Sequence, residues 1–179
     1  MDRRDLLRLL SASGALAFLP ADLLATGHAI HRTAAAGILA ALRADEAALI
    51  AAIGDIILPR TDTPGASDVN ATGFIDRLLA DWYPDAERIR FLAGLADINA
   101  RAARQHGRPF LDLGQADRTA LCTALDAVQG ELDTAPGAFN RIKDLTIYGY
   151  FTSERVRNEV THAVVIPGRF DGCLALPPP

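Results

Sequence analysis

Redox and metal chemistry have little to work with in this 179-residue chain, which holds 2 cysteines, Cys122 and Cys173, and 4 histidines. The cysteines stand 51 positions apart, so there is no CxxC zinc half-site, no CxxCH haem attachment and no iron–sulfur run. Basic runs are missing as well. Nothing longer than Arg3-Arg4 occurs and the net charge is −4, which excludes nucleic acid as a partner because the phosphate-neutralising footprint is absent. No two of the 14 glycines lie two positions apart, so both the GxG core of a dinucleotide fingerprint and a Gly-rich phosphate loop are lacking. A flavin cannot be held in this chain by that route. There is no GxSxG elbow either, and Ser11, Ser13, Ser67 and Ser153 fall in the N-terminal segment, a loop and a helix end. The residues assign no catalytic, cofactor-binding or metal role.

What the chain has in quantity is alanine and leucine, 33 and 24 residues, the strongest helix formers, with few β-branched residues. With 50% hydrophobic and 22% charged residues it has the usage of a folded protein. At this length roughly 70% of the unfolded surface can be buried without metals or disulfides. The expectation is all-α: a compact bundle of about five helices, forming one domain over residues 30–179, with an extended C-terminal tail from about residue 155.

The first residues read as a targeting segment. Arg3 and Arg4, one free position, Leu6, Leu7 and basic Arg8 resemble the twin-arginine export signal, and an apolar stretch over 9–19 follows, ended by Pro20. That stretch is about half the roughly 20 residues a membrane helix needs, and it contains Ser11, Ser13 and Gly14. Gly27 and Ala29 suit a cut after Ala29, with Ala25 as a second candidate, giving a signal over residues 1–29 and a periplasmic product. The competing reading is an amphipathic first helix of a cytoplasmic protein. It has to accommodate a weakly hydrophobic segment with no charge in it.

Beyond a weakly patterned arm over 30–43, helical spacing of Leu49, Ile50, Ile53, Ile56 and Ile57 predicts a helix from about Asp45 to Pro59. Turn formers and Pro64-Gly65 make residues 60–70 a loop. A second helix is expected over 71–83, with Phe74, Ile75, Leu78, Leu79 and Trp82 on one stripe. A third covers 85–105, using Ile89, Leu92, Leu95, Ala96 and Ile98, and closes at Gly107. After a short extended stretch over 110–114, a fourth spans 115–128 with Leu121, Cys122, Leu125 and Val128. A fifth covers 138–151 with Phe139, Ile142, Leu145, Ile147 and Tyr148. The residues after Glu154 are β-branched and punctuated by Gly and Pro, so the tail is expected to be extended.

Isolated polar residues offer weak chemistry. His28 and His31 straddle the expected cleavage point without a third ligand. His106 precedes Gly107 at a helix C-terminus, where an imidazole caps carbonyls. Asp62 and Asp68 bracket Pro64-Gly65 but lack calcium-loop spacing, so turn capping is the simpler reading. Cys122 sits on an apolar stripe and Cys173 in the tail, and we expect no bridge between them.

Taken together, several strings resemble the gluconate 2-dehydrogenase subunit 3 family: I-I-L-P-R-T-D-T-P-G-A-S-D over 56–68, G-F-I-D-R-L-L over 73–79, F-L-A-G-L over 91–95, F-L-D-L over 110–113, L-T-I-Y-G-Y-F-T-S-E over 145–154 and P-G-R-F-D-G-C over 167–173. The resemblance implies a non-catalytic small subunit of a periplasmic or membrane-associated sugar or sugar-acid dehydrogenase, and it extends to the small subunits of glucoside 3-dehydrogenases. It implies as partners a flavoprotein large subunit carrying FAD, a cytochrome c subunit that receives the electrons, and the twin-arginine export machinery. The small subunit would bind, stabilise and co-export the flavoprotein. The alternative is an independent small periplasmic hydrolase or metal-binding protein using His106, His162 and the Asp62 to Asp68 loop. For partner binding, the aromatic cluster Tyr148, Tyr150 and Phe151 and the apolar tail residues Val164, Ile166, Phe170 and Cys173 are the expected surface. The competing possibility is that the tail packs back and completes the core.

Overall fold

A computed structural model describes residues 38–162, and every regular element among them is helical. The helices are α1 (Ala44–Ile57), α2 (Ala71–Asp81), α3 (Asp85–His106), α4 (Gln115–Asp126), α5 (Ala135–Thr152) and the single turn α6 (Glu154–Val156), which runs on into a π-turn over Arg157–Thr161. Two 3-10 turns, Ser67–Val69 and Phe110–Asp112, lie in the connections.

Local chemistry sets the helix ends. At α1 the Glu46 carboxylate accepts the Arg43 backbone N–H at 2.8 Å, and Asp45 adds a second negative charge to the positive end of the helix dipole. Asn70 enters α2 in the left-handed conformation (φ 53°), with its Oδ1 accepting from Gly73 N–H at 3.2 Å. Pro84 precedes α3, and Gly107 closes it at φ 73°, where a side chain would be strained. Thr134 Oγ1 caps α5 by accepting from Gly137 N–H at 3.4 Å, and Pro136 sits in the first turn, where its missing donor costs nothing.

Helix α5 is the centre of the bundle and touches α1, α2, α3 and α4. Small residues let it do so. A Cβ on Gly149 would stand 2.7 Å from Phe74 Cδ1, and one on Gly94 of α3 would stand 2.6 Å from Ala138 Cβ. The main core gathers Leu49, Ile50 and Ile53 of α1, Ile75 and Leu79 of α2, Phe91, Leu95 and Ile98 of α3, Leu121, Cys122 and Leu125 of α4, and Phe139 and Ile142 of α5. Interhelix polar ties complete it: Asp97 of α3 accepts the Ala135 N–H at 2.8 Å, and Asn99 accepts the Phe110 N–H at 3.1 Å. Asp76 of α2 is a buried carboxylate, and it receives the backbone N–H groups of Ala40, Ala41 and Leu42.

A second, smaller core lies at the far end of α5. Ala66, Val69 and Ala71 pack there on Tyr150 and Val156, with Leu58 and Val160 alongside. The residues 58–71 and 150–160 therefore fold against each other, although about 80 positions separate them.

Several expectations need correction. The tail is not extended from residue 155: Ser153 Oγ accepts from Val156 N–H at 3.3 Å and starts a further turn, so residues 154–161 are helical. Residues 110–112 form a 3-10 turn instead of a strand-like stretch. Helix α5 begins at Ala135, three residues before the expected start, because Thr134 and Pro136 form its cap and first turn. Trp82, Ile89, Val128 and Ile147, assigned to inward stripes, are exposed. The segments 1–37 and 163–179, with the export residues Arg3, Arg4, Leu6 and Leu7 and the tail residues Val164, Ile166, Phe170 and Cys173, lie outside the described residues.

Candidate partner-binding surface

Residues on the C-terminal half of α5 divide by helical rotation. Ile142, Thr146, Gly149 and Tyr150 face inward and are buried, whereas Ile147, Tyr148 and Phe151 face out. Tyr148 and Phe151 keep 55% and 51% of their surface exposed, a large apolar area for a chain with only 11 aromatic residues. Neither ring is loose. Tyr148 leans on Phe74 with centroids 5.7 Å apart, and Phe151 meets Tyr150 edge to face at 5.3 Å.

Tyr150 does not belong to this surface. It is 5% exposed, its ring fills the second core, and its hydroxyl donates to the Pro64 carbonyl at 2.7 Å. The aromatic cluster Tyr148, Tyr150 and Phe151 is thus one internal strut and two outward rings. The strut ties α5 to the 58–70 loop, so the exposed rings and the loop are held as one unit.

That loop borders an open depression of about 220 Å³, lined by residues 60–64, Asp68, Arg155 and Glu159. Four of its five charged side chains pair with one another, and Asp62 accepts from the Thr61 hydroxyl at 2.9 Å. Arg60 holds Asp68 through both nitrogens, with Nε at 2.6 Å from Oδ2. Asp68 Oδ2 also accepts the Gly65 N–H at 2.8 Å. Arg155 Nε reaches Glu159 at 3.1 Å. Ser67 donates to Asp55 of α1 through its hydroxyl at 2.8 Å and its N–H at 3.1 Å. Asp68 is a turn-locking residue here, as its place beside Pro64-Gly65 implies.

The other polar candidates are dispersed. The His106 ring stands 4.0 Å from Asp117 at the junction of α3 and α4. His162 is exposed and left-handed, at φ 47°. Neither lines the depression, so the geometry does not bring the two histidines to the Asp62 to Asp68 loop. Ser153 is buried, its hydroxyl donating to Tyr150 O at 2.7 Å and capping α6. Among the described residues no three His, Cys, Asp or Glu side chains are grouped to hold a metal ion, and no helix is long and apolar enough to cross a membrane. Cys122 is packed in the main core, where burial pushes its thiol up to about 11 and keeps it protonated.

Sequence reasoning missed Asp76, because its partners are 34 to 36 positions away. The only signal was an acidic residue on the apolar stripe between Ile75 and Leu79.

A family model described as gluconate 2-dehydrogenase subunit 3 matches residues 44–168, from the first residue of α1 to beyond the π-turn. No curated protein and no solved structure matches the chain.

Proposed function

The chain belongs to the gluconate 2-dehydrogenase subunit 3 family, a family of small subunits of dehydrogenase complexes, and from that premise we propose that its task is to bind, stabilise and co-export a flavoprotein subunit. In this reading the partner carries FAD and oxidises a sugar or sugar acid in the periplasm. Its electrons pass on to a cytochrome c subunit. In this reading the chain contributes no redox group, and its lack of a GxG turn is consistent with a dinucleotide held by the partner.

The observation that carries the reading is the outward face of α5. Tyr148 and Phe151 are rigidly backed by Phe74 and Tyr150 and yet half exposed. Pre-ordered aromatic rings lose little freedom on docking, which makes them effective anchors at a protein interface. Asp68 and Ser153, two side chains that an independent hydrolase could use, are engaged in holding the 60–68 turn and the start of α6. Export through the twin-arginine route rests on the Arg3-Arg4 signal and suits a partner that folds around its flavin before crossing the membrane.

Deleting the chain from its host tests this. Dye-linked sugar or sugar-acid dehydrogenase activity should disappear from the periplasmic fraction, with the flavoprotein retained in the cytoplasm, and a plasmid copy should restore it. Periplasmic activity unchanged by the deletion would overturn the proposal.

A further inference from the structure

Asp76 is the one acidic side chain among the described residues that is buried, at 1% exposure, and its partners are backbone groups of the chain that leads into α1. Its Oδ2 accepts from Ala40 N–H at 2.7 Å, and its Oδ1 accepts from Ala41 and Leu42 N–H at 3.0 and 2.9 Å. Residues 40–42 lie outside any helix. Were α1 extended backward through them, these three N–H groups would join the unpaired donors of a first helical turn. The carboxylate satisfies all three at once and so ties the chain that enters α1 to α2.

The tie depends on tertiary structure. Asp76 belongs to α2, which packs on α1 and α5, so the carboxylate meets residues 40–42 only once those helices have docked. Leu42, at 6% exposure, then seals into the main core. Immediately upstream, Ile38 is 79% exposed, so the grip has a sharp outer edge.

We propose that Asp76 is a fold-dependent clasp on the chain that leads into α1, so that residues 40–42 are held against the bundle only after α1 and α2 have docked. The clasp stands on the contacts above. Its consequence, that weakening the clasp lowers export, rests on the export reading given under the proposed function.

Hydrogen exchange on the full wild-type chain is the first test. The amides of Ala40, Ala41 and Leu42 should exchange at least about a hundredfold more slowly than an unstructured chain and in step with the α2 amides. Exchange at the unstructured rate would overturn the clasp, whatever happens to any variant. Asp76→Asn keeps the shape but replaces one acceptor oxygen by a donor. It should speed exchange at these amides, and tryptic cutting after Arg43, by about tenfold or more while the bundle still melts cooperatively. Protection retained in that variant would also overturn the clasp. For the consequence, the exported fraction of Asp76→Asn should fall several-fold below that of a Leu125→Ala control of matched stability, and equal export would overturn it. Arg3→Lys with Arg4→Lys tests the export reading separately: should that pair be exported normally, the export reading fails while the exchange result on the clasp stands.

Discussion

Alanine substitution along the aromatic triplet of α5 should separate binding from stability. About half of each ring is exposed at Tyr148 and Phe151. An aromatic side chain presents about 200 Å² of burial surface, so roughly 100 Å² per ring remains for a partner to cover. At about 25 cal/mol per Å² that is worth about 2.5 kcal/mol each. Phe151→Ala or Tyr148→Ala should therefore weaken binding to the proposed flavoprotein partner by about sixtyfold. Each should cost the isolated chain only about 1 kcal/mol, from the lost ring contact with Tyr150 or Phe74. Tyr150→Ala should behave in the opposite sense, removing about 3 to 5 kcal/mol of packing from the second core. Tyr150→Phe, which deletes only the hydrogen bond to Pro64, should cost about 1 kcal/mol. Surface-immobilised binding measurements beside thermal melts read both quantities. If Tyr148→Ala and Phe151→Ala left binding intact and lowered the melting temperature as Tyr150→Ala does, the assignment of outward and inward faces would be refuted.

Gly149→Ala should destabilise the chain by about 1 kcal/mol despite the better helix propensity of alanine, because the new methyl would meet the fully buried Phe74 ring at 2.7 Å; a melting temperature above wild type would show that Phe74 can yield. Cys122, protonated up to about pH 11 in the fold against an ordinary 9.0, should contribute stability that is fully present below about pH 9 and falls as pH rises toward 11. Denaturant titrations at both ends of that window, with Cys122→Val as reference, should show the fall only in the wild type, and the same thiol should resist alkylation at pH 8 until the chain is unfolded. Replacing Arg3 and Arg4 by Lys should hold both this chain and its flavoprotein in the cytoplasm, as read by fractionation, and undiminished periplasmic protein would count against the export role.

The helices were readable because their apolar spacing is strong: the starts of α1, α2, α3 and α4 fall within a residue of the spans expected from periodicity. The expected span of α5 is too short because Pro136 and Gly137 look like loop residues until Thr134 is recognised as a cap. The stripe at its other end is illegible for a different reason. Gly149 and Thr146 face the core, and neither registers as apolar, so Ile147 and Tyr148 appeared to continue the inward face. In the same way, Tyr150 looked equivalent to its neighbours although a rotation of about 100° per residue separates them. The folding of residues 154–161 into helical turns depends on Ser153 as a cap and on Val156 and Val160 finding the 66–71 segment, contacts that local β-branched composition does not reveal. Asp76 was hidden for the same reason, since a carboxylate on an apolar face is explained only by the chain that closes over it.

In the proposed reading this chain is a binding subunit and the chemistry belongs to a flavoprotein partner. Purifying a tagged copy under native conditions, first from a host lacking the flavoprotein and then from its own host, tests it most directly, with flavin absorbance, dye-linked oxidation and mass of the intact assembly read in each case. A colourless, inactive single polypeptide is expected from the first and a yellow, active assembly of this chain with a flavoprotein from the second. A single polypeptide that is itself yellow and active, or a preparation from the native host with no flavoprotein bound, would contradict it.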